Sequence, residues 1–458
     1  RVKRLRVKRL RVKRLRVKRL RVKRLRKGKV FFVMRKFIVI VVVALVVLCG
    51  ASFYVYKTND VNETYENKET KNNSNMLSMM LETSAGSGEY QQTTASVWPT
   101  EGYTFNENLS KCEKGSSLSW DSTKNTVVMM GNVSDKCYVY FDVYVPPRYD
   151  EICDESLLAC HVAKQYTGIQ GENNMYYHNS TLTNGAGDGS YRYAGSSETT
   201  NNFVCFGYDS TDGSCPTDYL YRIIGVFDGE VKLIKYDYGT TTELGTDGDY
   251  YKTYKEWGMD SMYYKGTYGD GEKIGVYYWN YSNGSSSTNT WSASRLNTTN
   301  LNTNYLNNIG TNWSNKIANH TWKVGKNTYS NIYSATTPNA YKNEITSPAE
   351  NTTYEAKIGL MYVSDYGYAA SQSAWTTTLG FYNNSSVKSV NWMYMGLFEW
   401  TLACRSDNSS YAFFVPPAGH VDSRKVYYGI AVRPVLYLAS ETAYAGGSGT
   451  ASSPILLS

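Results

Sequence analysis

The stretch YLYRIIGVFDGEVKLIKYDY, Tyr219–Tyr238, has the clearest structural signal in this 458-residue chain. Two runs rich in β-branched residues flank Asp228-Gly229, and Asp-Gly between such runs predicts a β-hairpin with a two-residue turn. We expect the hairpin to pair with the C-terminal part of the chain, at Tyr411–Val415 and Lys425–Leu438. The hairpin therefore predicts a β-sheet that joins distant parts of the sequence.

Other segments of the chain predict short elements around this sheet. Pro434 lies in the expected partner strand and predicts an edge or a bulge, because proline cannot donate a hydrogen bond there. We expect a short helical piece at Glu151–Tyr166 and a short helix that starts near Ser292. The segment KIGLMYVSDYGYA, 357–369, predicts a strand followed by a loop.

A small β module is predicted before this region, at residues 101–147. Short strand patterns occur around Ser117–Trp120, Thr126–Met130 and Lys136–Val145, and Pro146–Pro147 ends the last one. So few residues bury only a small core. We therefore expect a disulfide to stabilise the module.

Cysteine usage supports that expectation. Six cysteines that can pair allow fifteen connectivities, which sequence alone cannot decide. Closeness in the chain favours pairs between neighbours and leaves Cys404 single. We found no CxxC or HExxH spacing among these cysteines and the four histidines, so the sequence predicts no metal site. The disulfide candidates are Cys112 with Cys137, Cys153 with Cys160, and Cys205 with Cys215.

An apolar run, FIVIVVVALVVLCGASFYVY, occupies Phe37–Tyr56. As a helix at about 1.5 Å per residue it has the length of a bilayer's hydrocarbon core. Arg35 and Lys36 precede it, and positive residues favour the cytoplasmic side. We expect residues 34–56 to form a signal anchor, with the N-terminus cytoplasmic and the bulk of the chain extracellular. Cleavage after Ala51 is the alternative.

Residues 1–33 contain five copies of RVKRL, whose period matches neither a helix nor a strand. Met34 opens a sequence typical of a bacterial export signal, so we expect residues 1–33 to be untranslated or disordered. The alternative is a polybasic arm on anionic lipid.

The remaining boundaries follow from composition. Residues 57–100 are polar and predict a disordered stalk, residues 148–440 a main α+β domain, and residues 441–458 a C-terminal tail. Tyrosine is abundant, with 43 residues, which suits short strands and long loops. The fold class we expect is an α+β, β-rich ectodomain with long loops. Residues 1–36 hold 20 Lys and Arg, so the rest of the chain has 28 against 40 Asp and Glu, which disfavours a nucleic-acid partner.

Five segments of the chain form a recognisable set: YRIIGVFDGEVKLIK, the W-S-x-S-x-L of Trp291–Leu296, IGLMYVSDYGYA, MGLFEWTLACRSDNSSYAFFV and GIAVRPVLYL. In their order and spacing they resemble a family of uncharacterised, membrane-anchored, Tyr/Asn-rich surface proteins of gut Firmicutes and Mollicutes. The resemblance covers residues 98–458. The C-terminal pattern is also distantly similar to the C-type-lectin-like fold of formylglycine-generating enzymes. The reactive cysteine pair of those enzymes and the E-P-N motif of calcium-dependent lectins are both missing, so neither chemistry is implied.

Few residues indicate chemistry by their spacing. Glu399, Asp407 and Asp365 could act as carboxylates with His420 as a base, but no spacing brings two of them together. We therefore expect no catalytic residue and no cofactor. Three tryptophans could stack on a sugar or a peptide, although core packing is the simpler interpretation: Trp375, Trp392 and Trp400.

The leading hypothesis is a surface binding module for a glycan or protein ligand. An extracellular enzyme on a C-type-lectin-like scaffold and a structural envelope protein are the alternatives. A pocket that gathers acids beside Trp375 or Trp400 would favour the enzyme. An exposed aromatic patch without clustered acids would favour the binding module.

Overall fold

The computed structural model describes residues 77–95, 97–99, 101–132, 134–210, 213–258, 262–269 and 271–458. The chain divides into two compact units, Arg1–Pro146 and Pro147–Ser458. We call the described part of the first unit the N-terminal module and the second unit the main domain. The division lies one residue from the boundary that the sequence predicts at residue 147.

A seven-stranded antiparallel sheet forms the centre of the main domain. The predicted hairpin provides its middle strands, Leu220–Phe227 and Glu230–Lys235. Nearly every residue of these two strands is buried, so both faces of the hairpin are covered. The strands follow the order Ile358–Gly359, Val435–Leu438, Glu230–Lys235, Leu220–Phe227, Tyr191–Tyr193 and Met175–Tyr177, and Phe203–Cys205 also pairs with Leu220–Phe227.

The hairpin turn has the predicted chemistry. Asp228 has φ 49° and Gly229 has φ 82°, so both central residues adopt the left-handed conformation that a type I′ turn requires. The partner strand Val435–Leu438 lies within the predicted segment Lys425–Leu438. It is an interior strand, so the edge predicted from Pro434 is wrong: this proline directly precedes the strand, where no ladder bond is lost.

The predicted pairing of the hairpin with Tyr411–Val415 is also wrong. That strand belongs to a separate four-stranded sheet, where it pairs with Glu399–Arg405 and Asp422–Lys425. This sheet has the order Lys326–Asn327, Glu399–Arg405, Tyr411–Val415 and Asp422–Lys425. Smaller sheets complete the domain: Tyr250–Thr253 with Gly275–Tyr278 and Gly429–Ile430, His320–Lys323 with Thr353–Ala356, and Tyr444–Gly446 with Leu456–Leu457.

Short helices connect these strands. The α-helices are Tyr149–Ile152, Leu158–Ala163, Thr241–Leu244, Tyr254–Trp257, Leu306–Ile309, Thr311–Ser314, Tyr329–Tyr333, Thr337–Tyr341, Val363–Tyr368 and Ser385–Lys388. Single 3₁₀ turns occur at Glu172–Asn174, Thr217–Tyr219, Gly284–Ser286, Trp291–Ala293, Gln372–Ala374 and Leu379–Phe381. Wider helical turns with i to i+5 bonding occur at Leu296–Tyr305 and Lys342–Thr346.

The helix predictions are therefore partly right. The predicted piece at Glu151–Tyr166 is interrupted, and its ordered turns are Tyr149–Ile152 and Leu158–Ala163. A helical stretch does follow Ser292. The loop predicted after Ile358–Gly359 is wrong, because Val363–Tyr368 is a helix whose first amide groups bind buried carboxylates.

The N-terminal module contains the three predicted strands. Two of them, Ser117–Asp121 and Thr126–Met130, form a hairpin, and Cys137–Val143 lies in a four-stranded sheet. The sheet has the order Tyr90–Gln92, Leu77–Glu82, Cys137–Val143 and Tyr103–Cys112.

The module also starts earlier than predicted. Leu77–Glu82 and Tyr90–Gln92 lie in the range 57–100 that the sequence predicts as a disordered stalk, so that prediction is wrong from Leu77 onward. Leu77–Glu82 pairs in parallel with Cys137–Val143 and buries Met79 against it. Parallel partners this far apart in sequence leave no local turn signal, which explains the error.

The module core is small and aromatic. Phe141 is 1 % exposed, and the rings of Phe105, Trp120 and Trp98 lie 5.7–5.9 Å from its ring. Cys112 and Cys137 form the predicted disulfide between the edge strand Tyr103–Cys112 and its neighbour Cys137–Val143. The bridge therefore closes a sheet that has few other buried side chains.

Residues 1–76 lie outside the described residues, and with them the basic repeat, the apolar run Phe37–Tyr56 and the first part of the predicted stalk. Within the described ranges, no helix has the length and apolar composition that crossing a membrane requires.

We predict that Cys112→Ser destabilises the module selectively. Without the bridge the unfolded chain gains loop entropy worth about 3 kcal/mol. Backbone amides of residues 101–143 should then exchange with deuterium faster, as measured by peptide-resolved mass spectrometry. Peptides from Leu220–Lys235 should keep their protection and serve as the internal control, and equal loss of protection in both regions would contradict the division at Pro146.

Cys404 remains unpaired and is 2 % exposed in the strand Glu399–Arg405. Burial raises the pKa of its thiol to about 12, so the reactive thiolate is absent at neutral pH. We expect iodoacetamide to leave Cys404 unmodified in the folded protein and to modify it in denaturant, as read by peptide mapping. Rapid alkylation of the native protein would contradict this burial.

Candidate functional site

Two disulfides hold the walls of a cleft in the main domain. Cys153–Cys160 closes a loop against the helix Leu158–Ala163, and Cys205–Cys215 holds the end of the strand Phe203–Cys205. Both pairs match the sequence prediction. His161 follows Cys160 directly, so the first bridge fixes the helix that carries this side chain toward the cleft.

The cleft has a volume of about 300 Å³. Its residues come from five separate segments: the helix Leu158–Ala163 with the turn after it, the 3₁₀ turn Glu172–Asn174, the strand Tyr191–Tyr193, the loop before Phe203–Cys205 and the C-terminal hairpin. The lining residues are His161, Gln165, Asn173, Tyr193, Thr199, Asn201, Gly447, Ser448 and Ile455.

The C-terminal segment is part of this site, so the prediction that residues 441–458 form a separate tail is wrong. Ile455 is 3 % exposed and pairs with the strand Phe203–Cys205: its N–H donates to the Phe203 carbonyl at 2.9 Å, and the Cys205 N–H donates to its carbonyl at 2.8 Å. Gly447 has φ 89°, and a Cβ there would lie 2.0 Å from the Pro454 carbonyl oxygen. Glycine is therefore required for this hairpin to close against the cleft.

The lining is polar but uncharged at neutral pH. Amides of Gln165, Asn173 and Asn201 and hydroxyls of Thr199 and Ser448 face it, and each of these groups both donates and accepts hydrogen bonds. They can therefore bind a ligand rich in hydroxyl groups.

His161 is the titratable group of the lining that changes charge near neutrality. Its ring stacks on Tyr444, with ring centroids 3.7 Å apart and an angle of 9°. Burial lowers the pKa of His161 below its usual value, so the imidazole is neutral at pH 7. It therefore offers a neutral aromatic wall rather than a cation.

The three tryptophans proposed from sequence as stacking residues are core residues instead. Trp375 and Trp400 are fully buried and Trp392 is 1 % exposed, so their faces are covered by protein atoms. The stacking interpretation is wrong and core packing is right, because the large apolar rings fill the interior.

Each of these indoles also binds a backbone carbonyl. The indole N–H donates from Trp375 to Ala370 at 2.8 Å, from Trp392 to Tyr193 at 2.9 Å and from Trp400 to Tyr277 at 3.0 Å. Tyr193 lines the cleft, so the hydrogen bond from Trp392 holds the backbone of a lining residue. Trp392 itself is not among the lining residues.

The candidate acids do not meet in one place. Asp365 pairs with Lys232, and Glu399 pairs with Arg433 at 2.7 Å inside the core. Asp407 pairs with Arg405 at 2.9 Å near the surface, while burial lowers the pKa of His420. Each acid is held by its own cation, so this structure provides no acid–base pair from that set.

One group in the described residues has metal-like geometry, formed by Cys112, Asp135 and Cys137. Its two sulfurs are bonded to each other, so neither is a thiolate ligand. Asp135 accepts the backbone N–H groups of Lys114 at 2.7 Å and Ser116 at 3.0 Å, which explains its burial.

A row of tyrosines is exposed elsewhere on the main domain. The rings of Tyr251 and Tyr278 lie 5.2 Å apart, and those of Tyr278 and Tyr281 lie 4.7 Å apart. Tyr251 is 42 % exposed and Tyr281 is 36 % exposed. A Cβ on Gly429 would lie 2.8 Å from the Tyr251 ring, so glycine makes room for this row.

Sequence reasoning found neither surface. The cleft residues are common polar types from loops far apart in sequence, and no local pattern brings them together. The one signal for the exposed row was the adjacent pair Tyr277 and Tyr278 in the strand Gly275–Tyr278. It was hard to recognise because many other tyrosines lie in the core.

Compared with protein-family models, curated proteins and solved structures, this chain matches none of them.

We predict that Trp392→Phe weakens the fold rather than ligand contact. The change removes the N–H that binds the Tyr193 carbonyl and leaves a small cavity, which should lower the free energy of unfolding by about 2 kcal/mol. Urea unfolding measures the loss. Tyr428→Phe, at a 43 % exposed ring, is the control and should change stability by less than about 0.5 kcal/mol.

Proposed function

We propose that this chain is an extracellular binding protein that takes a neutral glycan in the cleft beside His161. The observation that carries this proposal is the lining, in which amide and hydroxyl groups surround a space next to an aromatic wall. Sugars present hydroxyl groups that need donors and acceptors together with apolar faces that pack on rings.

The size of the cleft supports a small ligand. Its volume of about 300 Å³ is at the lower end of ligand pockets. One or two sugar rings at the end of a glycan fit this space better than a long chain. Because the lining has no carboxylate, a neutral or acidic terminal sugar meets no repulsion there.

Glycoside hydrolysis needs a different arrangement. It uses two carboxyl groups on either side of the bond that breaks. The cleft lining contains none, and the acids considered from sequence are held in separate ion pairs. Binding therefore fits this site better than the alternative of an extracellular enzyme on a C-type-lectin-like scaffold.

The proposal also includes a place in the cell. The apolar run Phe37–Tyr56 would anchor the chain in the membrane as a single span, with the main domain outside. The three disulfides of the described residues agree with an oxidising compartment. Membership in the Tyr/Asn-rich surface family and a C-type-lectin-like topology belong to the same proposal.

A protein ligand is the second candidate, favoured by the exposed row Tyr251, Tyr278 and Tyr281. Tyrosine is enriched in protein interfaces, because it buries a large ring and keeps a hydroxyl for hydrogen bonding. The row and the cleft are formed by different segments, so substitutions can separate the two functions.

A glycan array probed with the folded protein tests the first proposal. We expect binding to a set of related terminal sugars. Asn201→Ala and Gln165→Ala should each weaken it about tenfold, the cost of one lost hydrogen bond of roughly 1.4 kcal/mol. Asn383→Ala, at an exposed asparagine outside the cleft, is the matched control and should bind as the parent does.

Two results would count against the cleft. One is the absence of binding to any glycan by folded protein. The other is glycan binding that Tyr251→Ala abolishes and Asn201→Ala leaves unchanged, which would assign the ligand to the tyrosine row.

A further inference from the structure

Lys232 and Asp365 form a buried pair at the centre of the main domain. Lys232 lies on the central strand Glu230–Lys235, and Asp365 lies in the helix Val363–Tyr368. The Nζ atom lies 2.6 Å from Oδ2 of Asp365, and the two side chains are 1 % and 2 % exposed. An amine and a carboxyl group are therefore in contact with almost no access to water.

The surroundings of this pair are aromatic. Lys232 Nζ lies 4.5 Å from the ring centre of Tyr362, 5.2 Å from that of Tyr437 and 5.5 Å from that of Phe227. Separated charges are costly in such a setting, because water that would solvate them is excluded. The setting therefore disfavours the ammonium form of Lys232.

A third buried group, Glu344, lies at the same helix start. Its carboxylate accepts the backbone N–H groups of Val363 at 2.9 Å and Ser364 at 2.8 Å, while Asp365 Oδ2 accepts the N–H of Tyr362 at 2.9 Å. Three consecutive amide groups thus hold two carboxyl groups side by side. Glu344 is 4 % exposed, so it too is shielded from solvent.

The protonation states support chemistry between these groups. Burial lowers the pKa of Lys232, which favours the neutral amine. Burial also raises the pKa of Glu344 to about 7, so a large fraction of it holds a proton near neutral pH. A neutral amine is a nucleophile, and a protonated carboxyl group can supply a proton.

We propose that Lys232 and Asp365 condense into an intramolecular amide that covalently links the central sheet to the helix Val363–Tyr368. Within the pair, the ammonium first gives a proton to the carboxylate, which leaves an amine and a carboxylic acid. The amine nitrogen then attacks Cγ of Asp365 and forms the C–N bond. The C–O bond breaks, and the oxygen leaves as water with one proton from the acid and one from the amine.

The proposal assigns the proton carrier to Glu344, because the amides of Val363 and Ser364 hold its carboxyl group next to the amide of Tyr362 that binds Asp365. Its carboxyl group gives a proton to the departing oxygen and recovers one from the nitrogen, so it is unchanged at the end. The reaction consumes no oxidant or other reagent, because an ammonium and a carboxylate become an amide and a water molecule. The remaining carbonyl oxygen can keep the hydrogen bond from the N–H of Tyr362.

The neighbouring pair Lys235 and Glu243 provides a contrast. Their atoms lie 2.9 Å apart, but Glu243 is 20 % exposed, and Lys235 Nζ also donates to the Asp218 carbonyl at 2.7 Å. A solvated carboxylate and a lysine with a second acceptor favour an ordinary ion pair. Lys235 is therefore the control residue for the experiment.

Mass spectrometry of the purified, folded full chain tests the proposal. After disulfide reduction, the main species should be lighter than the sequence by one water molecule. Trypsin should not cut after Lys232, and the digest should contain a branched peptide that joins residues 223–235 to residues 358–388.

Variants assign the roles. Lys232→Arg keeps a cation opposite Asp365 but cannot form the amide, so the mass loss should disappear. Lys235→Arg should retain the full mass loss. Glu344→Gln keeps the size of the side chain but replaces the carboxyl group with an amide that neither gives nor takes a proton near neutral pH. Most of this variant should therefore stay unlinked.

Two results would overturn the proposal. Recovery of the linear peptide 223–232 from native, folded protein as the main product would show that the pair is an ordinary ion pair. A branched peptide that persists in Lys232→Arg would show that another lysine forms the link. Equal linkage in Glu344→Gln and the parent would remove Glu344 from the reaction.

Discussion

The hairpin Leu220–Lys235 is buried on both faces, yet it holds three basic side chains, and the partners that these side chains need determine where the surrounding segments lie. Arg222 donates to the Asn202 side chain at 2.6 Å and to the Thr200 carbonyl at 2.8 Å, which fixes the loop before Phe203–Cys205. Lys232 and Lys235 bind oxygen atoms from two further segments. A buried cation without such partners would cost several kcal/mol.

The same requirement explains the site. Arg222 binds the residues on either side of Asn201, which lines the cleft. The Trp392 ring packs against the Arg222 guanidinium, and its N–H donates to the carbonyl of Tyr193, another lining residue. The cleft is therefore built on polar contacts of the core rather than on surface loops alone. Under the proposed function, this neutral lining would hold a glycan through hydrogen bonds and ring contacts, which suits selectivity among similar glycans more than tight affinity.

Features that depend on residues close together in the sequence could be predicted from it. The hairpin turn requires positive φ at both central positions, which Asp228 and Gly229 adopt. The closeness of the cysteines in the chain favoured the three observed pairs. Features that depend on distant partners were missed. The parallel strand Leu77–Glu82 and the return of Ile455 to the sheet have no local signature. Abundant tyrosines and tryptophans also hide the few exposed rings, so the cleft and the tyrosine row could not be predicted from composition.

The order of the disulfides has a consequence for biogenesis. The bonded cysteines are 25, 7 and 10 positions apart, and no pair encloses another. A chain whose residues enter an oxidising compartment in sequence order therefore exposes the two cysteines of each pair before the cysteines of the following pair. Cys404 would emerge after the six cysteines of these three pairs. Oxidation as the chain emerges would give the native connectivity without a disulfide isomerase.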